Sequence, residues 1–178
     1  NKARRDPKRI VFAEADNVKI LKAAQIIFDE GIGYPILLGD ETKIRAIAEA
    51  NGIDIEDLPI FDPRSDAQEE KRNQYSEIFF AKRGRRGFNA YEAKKIMKDR
   101  NYYGCMMVEC GDADAMISGL SKNYPDTIRP AIQTIGTEEG VRKIAGMYMM
   151  LTKKGPLFLA DTTVNFNPTA EELAEITL

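Results

Sequence analysis

The chain has 178 residues, a formal net charge of -2, 43% hydrophobic and 30% charged residues, and no histidine. This is the make-up of an ordinary globular protein of about one to one and a half domains, without the overall basic character that would point to nucleic acid. The missing histidine excludes Ser-His-Asp and Cys-His triads, histidine general bases and histidine metal ligands, and leaves chemistry to Asp, Glu, Ser, Lys, Arg or backbone groups.

The opening "NKARRDPKR" is basic, but Asp6 and Pro7 break it and no long apolar run follows. Neither a secretory signal nor a membrane span is supported, and a cytoplasmic location is the expectation. "KRIVFAE" predicts a strand and "NVKILKAAQIIFDEG" a helix that stops at Gly31. "YPILLG" predicts a second strand, and "DETKIRAIAEANG" a helix opening on Asp40 and closing at Asn51 and Gly52. Such alternation favours a parallel sheet covered by helices.

"LPIFDP" offers a third strand, and "SDAQEEKRNQYSEIFFAKR" a helix whose acidic start suits the helix dipole. Asn89 and Glu92 have capping-box spacing and open the helix "AYEAKKIMKDR". "YYGCMMVECG" reads equally as buried helix or buried strand, and its Cys105 and Cys110 match neither a zinc site nor a C-x-x-C pair, so both are expected to be buried, unreactive thiols. "ADAMISG" predicts a buried strand ending at Gly119, and "DTIRPAIQTIG" a helix that Pro130 should hold near its start.

Beyond a boundary near Gly140, "VRKIAGMYMML" and "GPLFLADTTVN" predict two strands joined by "TKKGP". Their apolar residues read first as buried sheet and secondly as an oligomer interface. "NPTAEELAEITL" opens a helix on Thr169 and Glu172, and a chain stopping there reads as part of something longer. The expected architecture is an α/β class, three-layer α/β/α sandwich with a parallel sheet over residues 1–140, followed by the start of a second α/β domain over 141–178.

The strongest candidate site is "SGLSKNYPDTIRP". It lies where a strand feeds a helix N-terminus, the position at which open α/β sheets bind ligands. Ser118, Ser121, Asn123 and Thr127 can donate hydrogen bonds, amides at the helix start favour an anion, and Arg129 adds a planar, permanent charge suited to phosphate. The bland alternative is an ordinary polar turn with a solvated arginine. "KRGRRG" is a second cationic candidate whose bland reading is a helix end. Asp161 and Asn165 read as turn formers, Asp114 and Asp126 as structural, and Glu14 as either a catalytic acid or a cap for the helix that follows. No G-x-G-x-x-G or Walker A pattern occurs.

The strings "KRIVFAEADNVKILKAAQIIFDEGIGYPILLG", "YEAKKIMKDRNYYGCMMVECGDADAMISG", "DTIRPAIQTIG" and "GPLFLADTTVNFNPTAEELAEIT" together resemble the phosphate acetyl/butyryltransferase (phosphotransacetylase) family over essentially the whole chain. "RRDPKRIVFAEADN" and "FLADTTVNFNPTAEELAEIT" look most like the version fused behind an NADP-dependent malic enzyme. The resemblance implies an acyl-CoA or acyl phosphate site made with Arg83 and Arg129, with Ser118, Gly119, Ser121 and Thr127 around it. It implies no catalytic residue within this chain, since the family's catalytic serine, arginine and aspartate correspond to positions past Leu178. CoA or acetyl-CoA is the implied ligand. NADP and a divalent metal would belong only to the malic enzyme part, and a homo-oligomer, with no nucleic acid or membrane partner, is expected.

"AEA", Ala13 to Ala15, stands where many members have "PEG", and Lys19 where they carry an arginine; these departures weigh against turnover. Arg129 is kept where some malic enzyme hybrids lose it, which weighs for a ligand site. The readings are thus a regulatory acetyl-CoA-binding domain of a malic enzyme, a working phosphate acetyltransferase, or a ligand-free oligomerisation scaffold.

Overall fold

The computed structural model describes residues 2–141 and 143–177. They fall into two compact units divided between Ile135 and Gly136. In the first, β1 (Lys8–Phe12), β2 (Gly33–Leu38), β3 (Ile60–Phe61) and β4 (Ala115–Ile117) form one parallel sheet in the order β3-β2-β1-β4. Side chains alternate across it. Val11, Ile36 and Leu38 face one cluster with Tyr75, Phe79 and Met106, while Phe12 and Leu37 face the other with Leu21, Ala24 and Ile44. Both faces are covered, which is why the strands read as continuous apolar runs.

Helices α1 (Val18–Asp29) and α2 (Glu41–Ala50) supply the second cluster; α3 (Glu69–Arg83), α4 (Ala90–Ile96) and α5 (Arg100–Glu109) supply the first. Their starts obey local capping chemistry. Asn17 Oδ1 accepts the Lys19 N–H and Asp40 Oδ1 the Lys43 N–H, both at 2.9 Å, and Asn89 and Glu92 form the expected capping box.

The helix predicted over "AYEAKKIMKDR" is two helices. The first ends at Ile96, and Asp99 then caps a new one by accepting the Asn101 N–H at 2.8 Å. The ambiguous cysteine segment belongs to this second helix, α5, which buries Tyr103, Gly104, Cys105, Met106 and Met107 in succession and so shows no apolar stripe. A Cβ on Gly104 would lie 2.8 Å from Met116 Sδ and 3.1 Å from Val11 Cγ1, so any larger residue here would have to push these side chains aside for α5 to lie this close to the sheet.

Strand β4 is less buried than its apolar sequence implies: Ile117 is 45% exposed, because among the described residues β4 is an edge strand paired only with β1. Arg9 fixes its start, donating Nε–H and Nη2–H to the Asp114 carboxylate at 3.1 and 2.8 Å.

Across the sheet ends, Arg100 donates to Asp16 at 2.9 and 3.3 Å and Lys43 donates to the same carboxylate at 3.2 Å. The Arg100 hydrogen bond leads in lowering the Asp16 carboxyl from 3.8 to about 2. A depressed carboxyl contributes stability that is complete above its unfolded value and lost as pH falls through the folded one. Asp16→Asn is therefore expected to cost about 1 kcal/mol at pH 7, discounted for partial exposure, with the difference from the parent closing between pH 4 and 2. Urea midpoints across that range check this; a gap independent of pH would refute it.

Cys105 is buried and burial pushes its thiol up to about 11, while burial also raises the half-buried Cys110. Both are expected to react with a thiol reagent in the native protein many-fold more slowly than in urea, since the thiolate is the nucleophile. Equal rates would contradict this.

In the second unit β5 (Met147–Thr152) and β6 (Gly155–Ala160) form an antiparallel hairpin, followed by α7 (Ala170–Thr177). The expected burial of these strands is not found: Leu151 is 82% exposed and Met147 63%, because among the described residues the hairpin is a sheet of two strands only. Asp161 is more than a turn former. It accepts the N–H of Gly146, Thr163, Val164 and Asn165 at 2.6–3.2 Å and so gathers the segments flanking the hairpin. Among the described residues no helix is long and apolar enough to cross a membrane.

Candidate functional site

The chain leaves β1 toward β2 on one side and returns as β4 on the other, so the strand order reverses between β1 and β4. Ligands of open parallel sheets bind outside the carboxyl ends of the strands at such a reversal. Here the segment after β1 carries Glu14 and the segment after β4 carries Ser118 to Ser121.

Glu14 is 5% exposed. Its Oε2 accepts the N–H of Gly119 and of Leu120, both at 2.7 Å, and its Oε1 accepts the Ser121 N–H at 2.8 Å together with the Ser121 hydroxyl. Gly119 turns the backbone into this arrangement with a φ of +106°, which side-chain-bearing residues rarely adopt. Burial pushes the carboxyl up, but the Ser121 hydroxyl and these N–H groups outweigh it and hold Glu14 below the usual carboxylate range. With about four lone-pair sites filled by these donors, Glu14 has no capacity left to take a proton from a substrate. Nor does it cap α1, since Asn17 does. It ties the turn after β4 to the end of β1, and the turn amides expected to favour a ligand anion already hold a carboxylate of the chain itself.

Ser118 also faces inward. Its hydroxyl donates to Asn101 Oδ1 at 2.9 Å, and the fully buried Asn101 donates from Nδ2 to the Asp126 carbonyl at 3.2 Å. That carbonyl belongs to α6 (Tyr124–Thr134). Pro130 sits inside α6 rather than near its start, and, lacking an N–H, cannot serve the Asp126 carbonyl four residues back. Asn101 supplies the missing donor.

The mouth of the site is a cleft of about 390 Å³ lined by Tyr102, Ser121, Lys122, Asn123, Asp126 and Arg129, with Asp99 at its side. Arg129 is exposed and makes no hydrogen bond or ion pair among the described residues. Lys122 Nζ stands 3.4 Å from Asp99 Oδ2, a long contact that leaves its donors largely available. Burial raises the Tyr102 hydroxyl, with the Arg129 charge acting the other way. One wall of the cleft therefore offers two cations to an anion, only one of them paired.

Of the sequence candidates, Arg129, Ser121 and Asn123 line this cleft, whereas Ser118, Gly119, Thr127 and Arg83 do not. Thr127 turns back on α6, its hydroxyl 3.4 Å from the Asn123 carbonyl. Arg83 donates Nε–H to the Gln133 carbonyl at 2.7 Å and Nη2–H to the Ile132 carbonyl at 2.5 Å, and Lys82 Nζ donates to the Thr134 carbonyl at 3.0 Å. The cationic end of α3 thus caps the last turn of α6, where orphan carbonyls and the dipole favour positive charge. Tyr102 joins the two regions, its hydroxyl donating to Gln133 Oε1 at 2.5 Å. Sequence reasoning missed Lys122, Tyr102 and Asn101; the first lay in the quoted turn as an available signal, while the other two carried none.

A family model described as phosphate acetyl/butaryl transferase matches residues 1–178. A phosphate acetyltransferase of Thermoanaerobacterium thermosaccharolyticum is 38% identical over 98% of this chain and 54% of its own length. An NADP-dependent malic enzyme of Rhizobium meliloti is 34% identical over 98% of this chain and 23% of its own. Among solved structures, a phosphotransacetylase from Streptococcus pyogenes superposes with a TM-score of 0.85 at 30% identity, over 99% of this chain and 54% of that one. The chain thus spans about half the length of the phosphate acetyltransferase it matches.

Proposed function

The chain belongs to the phosphate acetyl/butaryl transferase family, and we propose that it provides the phosphate-reading wall of a site for acyl phosphate and CoA. Arg129 carries this reading: an exposed guanidinium, unpartnered among the described residues, at the strand-order reversal of a phosphotransacetylase-type fold. Burying or pairing that charge would have argued for structure; leaving it at the mouth of a cleft argues for an anion.

In the transfer proposed for the complete protein, the CoA thiol sulfur attacks the acyl carbon of acyl phosphate, and the thiol proton ends on the departing phosphate. The carbon–oxygen bond to phosphate breaks, and phosphate leaves with the bonding pair. Arg129 and Lys122 would hold the phosphoryl oxygens, offsetting charge that grows as the leaving group departs. Arg83 would act through α6, keeping the helix that carries Arg129 in place. Titration calorimetry with acetyl phosphate and with CoA tests the reading. Binding that inorganic phosphate competes away and that weakens with salt is expected; no heat above dilution with either ligand would sink it.

A second reading is favoured by the match to the Rhizobium meliloti protein, which contains the same kind of domain within a chain about four times as long as the matched part. Here the chain would be part of an NADP-dependent malic enzyme, and the site would sense acetyl-CoA. An acetyl-CoA effect on malate oxidation in the complete protein, abolished by substitution at Arg129, separates sensing from transfer.

A further inference from the structure

We infer that Glu14 is a positioning residue for the Arg129 cleft: it fills the anion-binding nest of the Gly119–Ser121 turn and thereby directs a ligand's phosphate onto Lys122 and Arg129. The inference deepens the proposed reading and rests on it.

Three successive backbone N–H groups, of Gly119, Leu120 and Ser121, converge on the Glu14 carboxylate at 2.7–2.8 Å. Convergent amides of this kind at a strand-to-helix turn bind phosphate in many proteins. In this chain they are closed to a ligand, because Glu14 is buried and the Ser121 hydroxyl completes the coordination of its carboxylate. Three short amide bonds to one buried carboxylate also fix where the next residues lie. Lys122 follows Ser121 directly, Asn123 is the N-cap of α6, and Arg129 projects from that helix into the same cleft as Ser121 and Lys122. The Asn101 bridge from Ser118 to the Asp126 carbonyl holds the other side of the turn. Removing the charge of Glu14 would therefore do two things at once: free the amides for a competing anion and release the turn that spaces the cations.

The effect is separable from simple loss of stability. In the parent protein, followed by two-dimensional NMR, titrated inorganic phosphate should shift the Arg129 side-chain Nε–H and leave the Gly119, Leu120 and Ser121 amides unmoved. Those amides should also exchange with solvent slowly. Glu14→Gln, which keeps the shape but sets an NH2 group against an N–H, should speed exchange at the three amides by at least tenfold and weaken phosphate binding roughly tenfold. Glu14→Ala should lose as much, and added formate, a free carboxylate of the right size, should restore both slow exchange and phosphate affinity. A milder change, Ser121→Ala, guards against a Glu14 variant that fails to fold and should weaken phosphate binding severalfold. Phosphate shifts at the three amides of the parent protein would overturn the inference, as would unchanged phosphate affinity in both Glu14→Gln and Ser121→Ala. A parent protein that binds no phosphate would sink the ligand reading; the exchange comparison would then still judge the nest, and unchanged amide exchange in Glu14→Gln would reject it.

Discussion

Replacing Arg129 by alanine is expected to weaken binding of acetyl phosphate and of CoA by about ten- to a hundred-fold, since hydrogen bonds between charged groups are worth about 1.5–3 kcal/mol and each tenfold in affinity about 1.4 kcal/mol. Stability should change by no more than about 0.5 kcal/mol, because an exposed guanidinium without a hydrogen bond or ion pair among the described residues holds none of them in place. Lysine at this position should restore part of the affinity, a point charge lacking the planar fork. Arg83→Ala should behave differently. It unmakes the bonds to the Ile132 and Gln133 carbonyls, and should cost about 1–2 kcal/mol of stability, with binding weakened only as far as α6 loosens. Thermal melts beside calorimetry distinguish the two. An Arg83 variant of unchanged stability that has lost binding would return Arg83 to the ligand.

Asn101→Ala is expected to be the most destabilising single change at the site, by about 2–4 kcal/mol, because it strands two groups whose unmade hydrogen bonds cost about 1–3 kcal/mol each. They are the Ser118 hydroxyl and the Asp126 carbonyl, and the latter depends on Asn101 because Pro130 has no N–H to offer. That dependence has a second consequence. With alanine at position 130 the helix regains its own donor for the carbonyl, so Asn101→Ala should cost about 1 kcal/mol less in a Pro130→Ala background. Denaturant unfolding of both single variants and the double variant measures the coupling. Strict additivity would show that Asn101 does not stand in for the missing N–H.

Much of the fold was legible because its signals are local. Caps at Asp40, Asn89 and Thr169 lie within three residues of the amides or acids they pair with, and "IVF" and "PILL" are apolar because both sheet faces are covered. What stayed hidden depends on partners far away in sequence. Glu14 was left as acid or cap because the amides it binds are 105 to 107 positions along the chain. Arg83 could be read as a ligand contact or a helix end, but its bonds to α6 reach 49 and 50 positions. Pro130 was expected near a helix start because the rule that places it there has no knowledge of an asparagine on another helix. The site followed the same division. Arg129 was visible as a cation in a polar turn, since exposure leaves a charge that the sequence itself does not neutralise. Asn101, lying between the segments "AYEAKKIMKDR" and "YYGCMMVECG", was invisible: a buried amide acts only through what the fold brings to it.

The most direct test is a crystal structure of the protein with CoA or acetyl phosphate bound. A phosphate group with oxygens about 3 Å from the Arg129 guanidinium, beside Lys122, and with Glu14 still holding the Gly119, Leu120 and Ser121 amides, is the predicted result. A phosphate seated on those amides with Glu14 displaced, or bound away from Arg129 altogether, would contradict it.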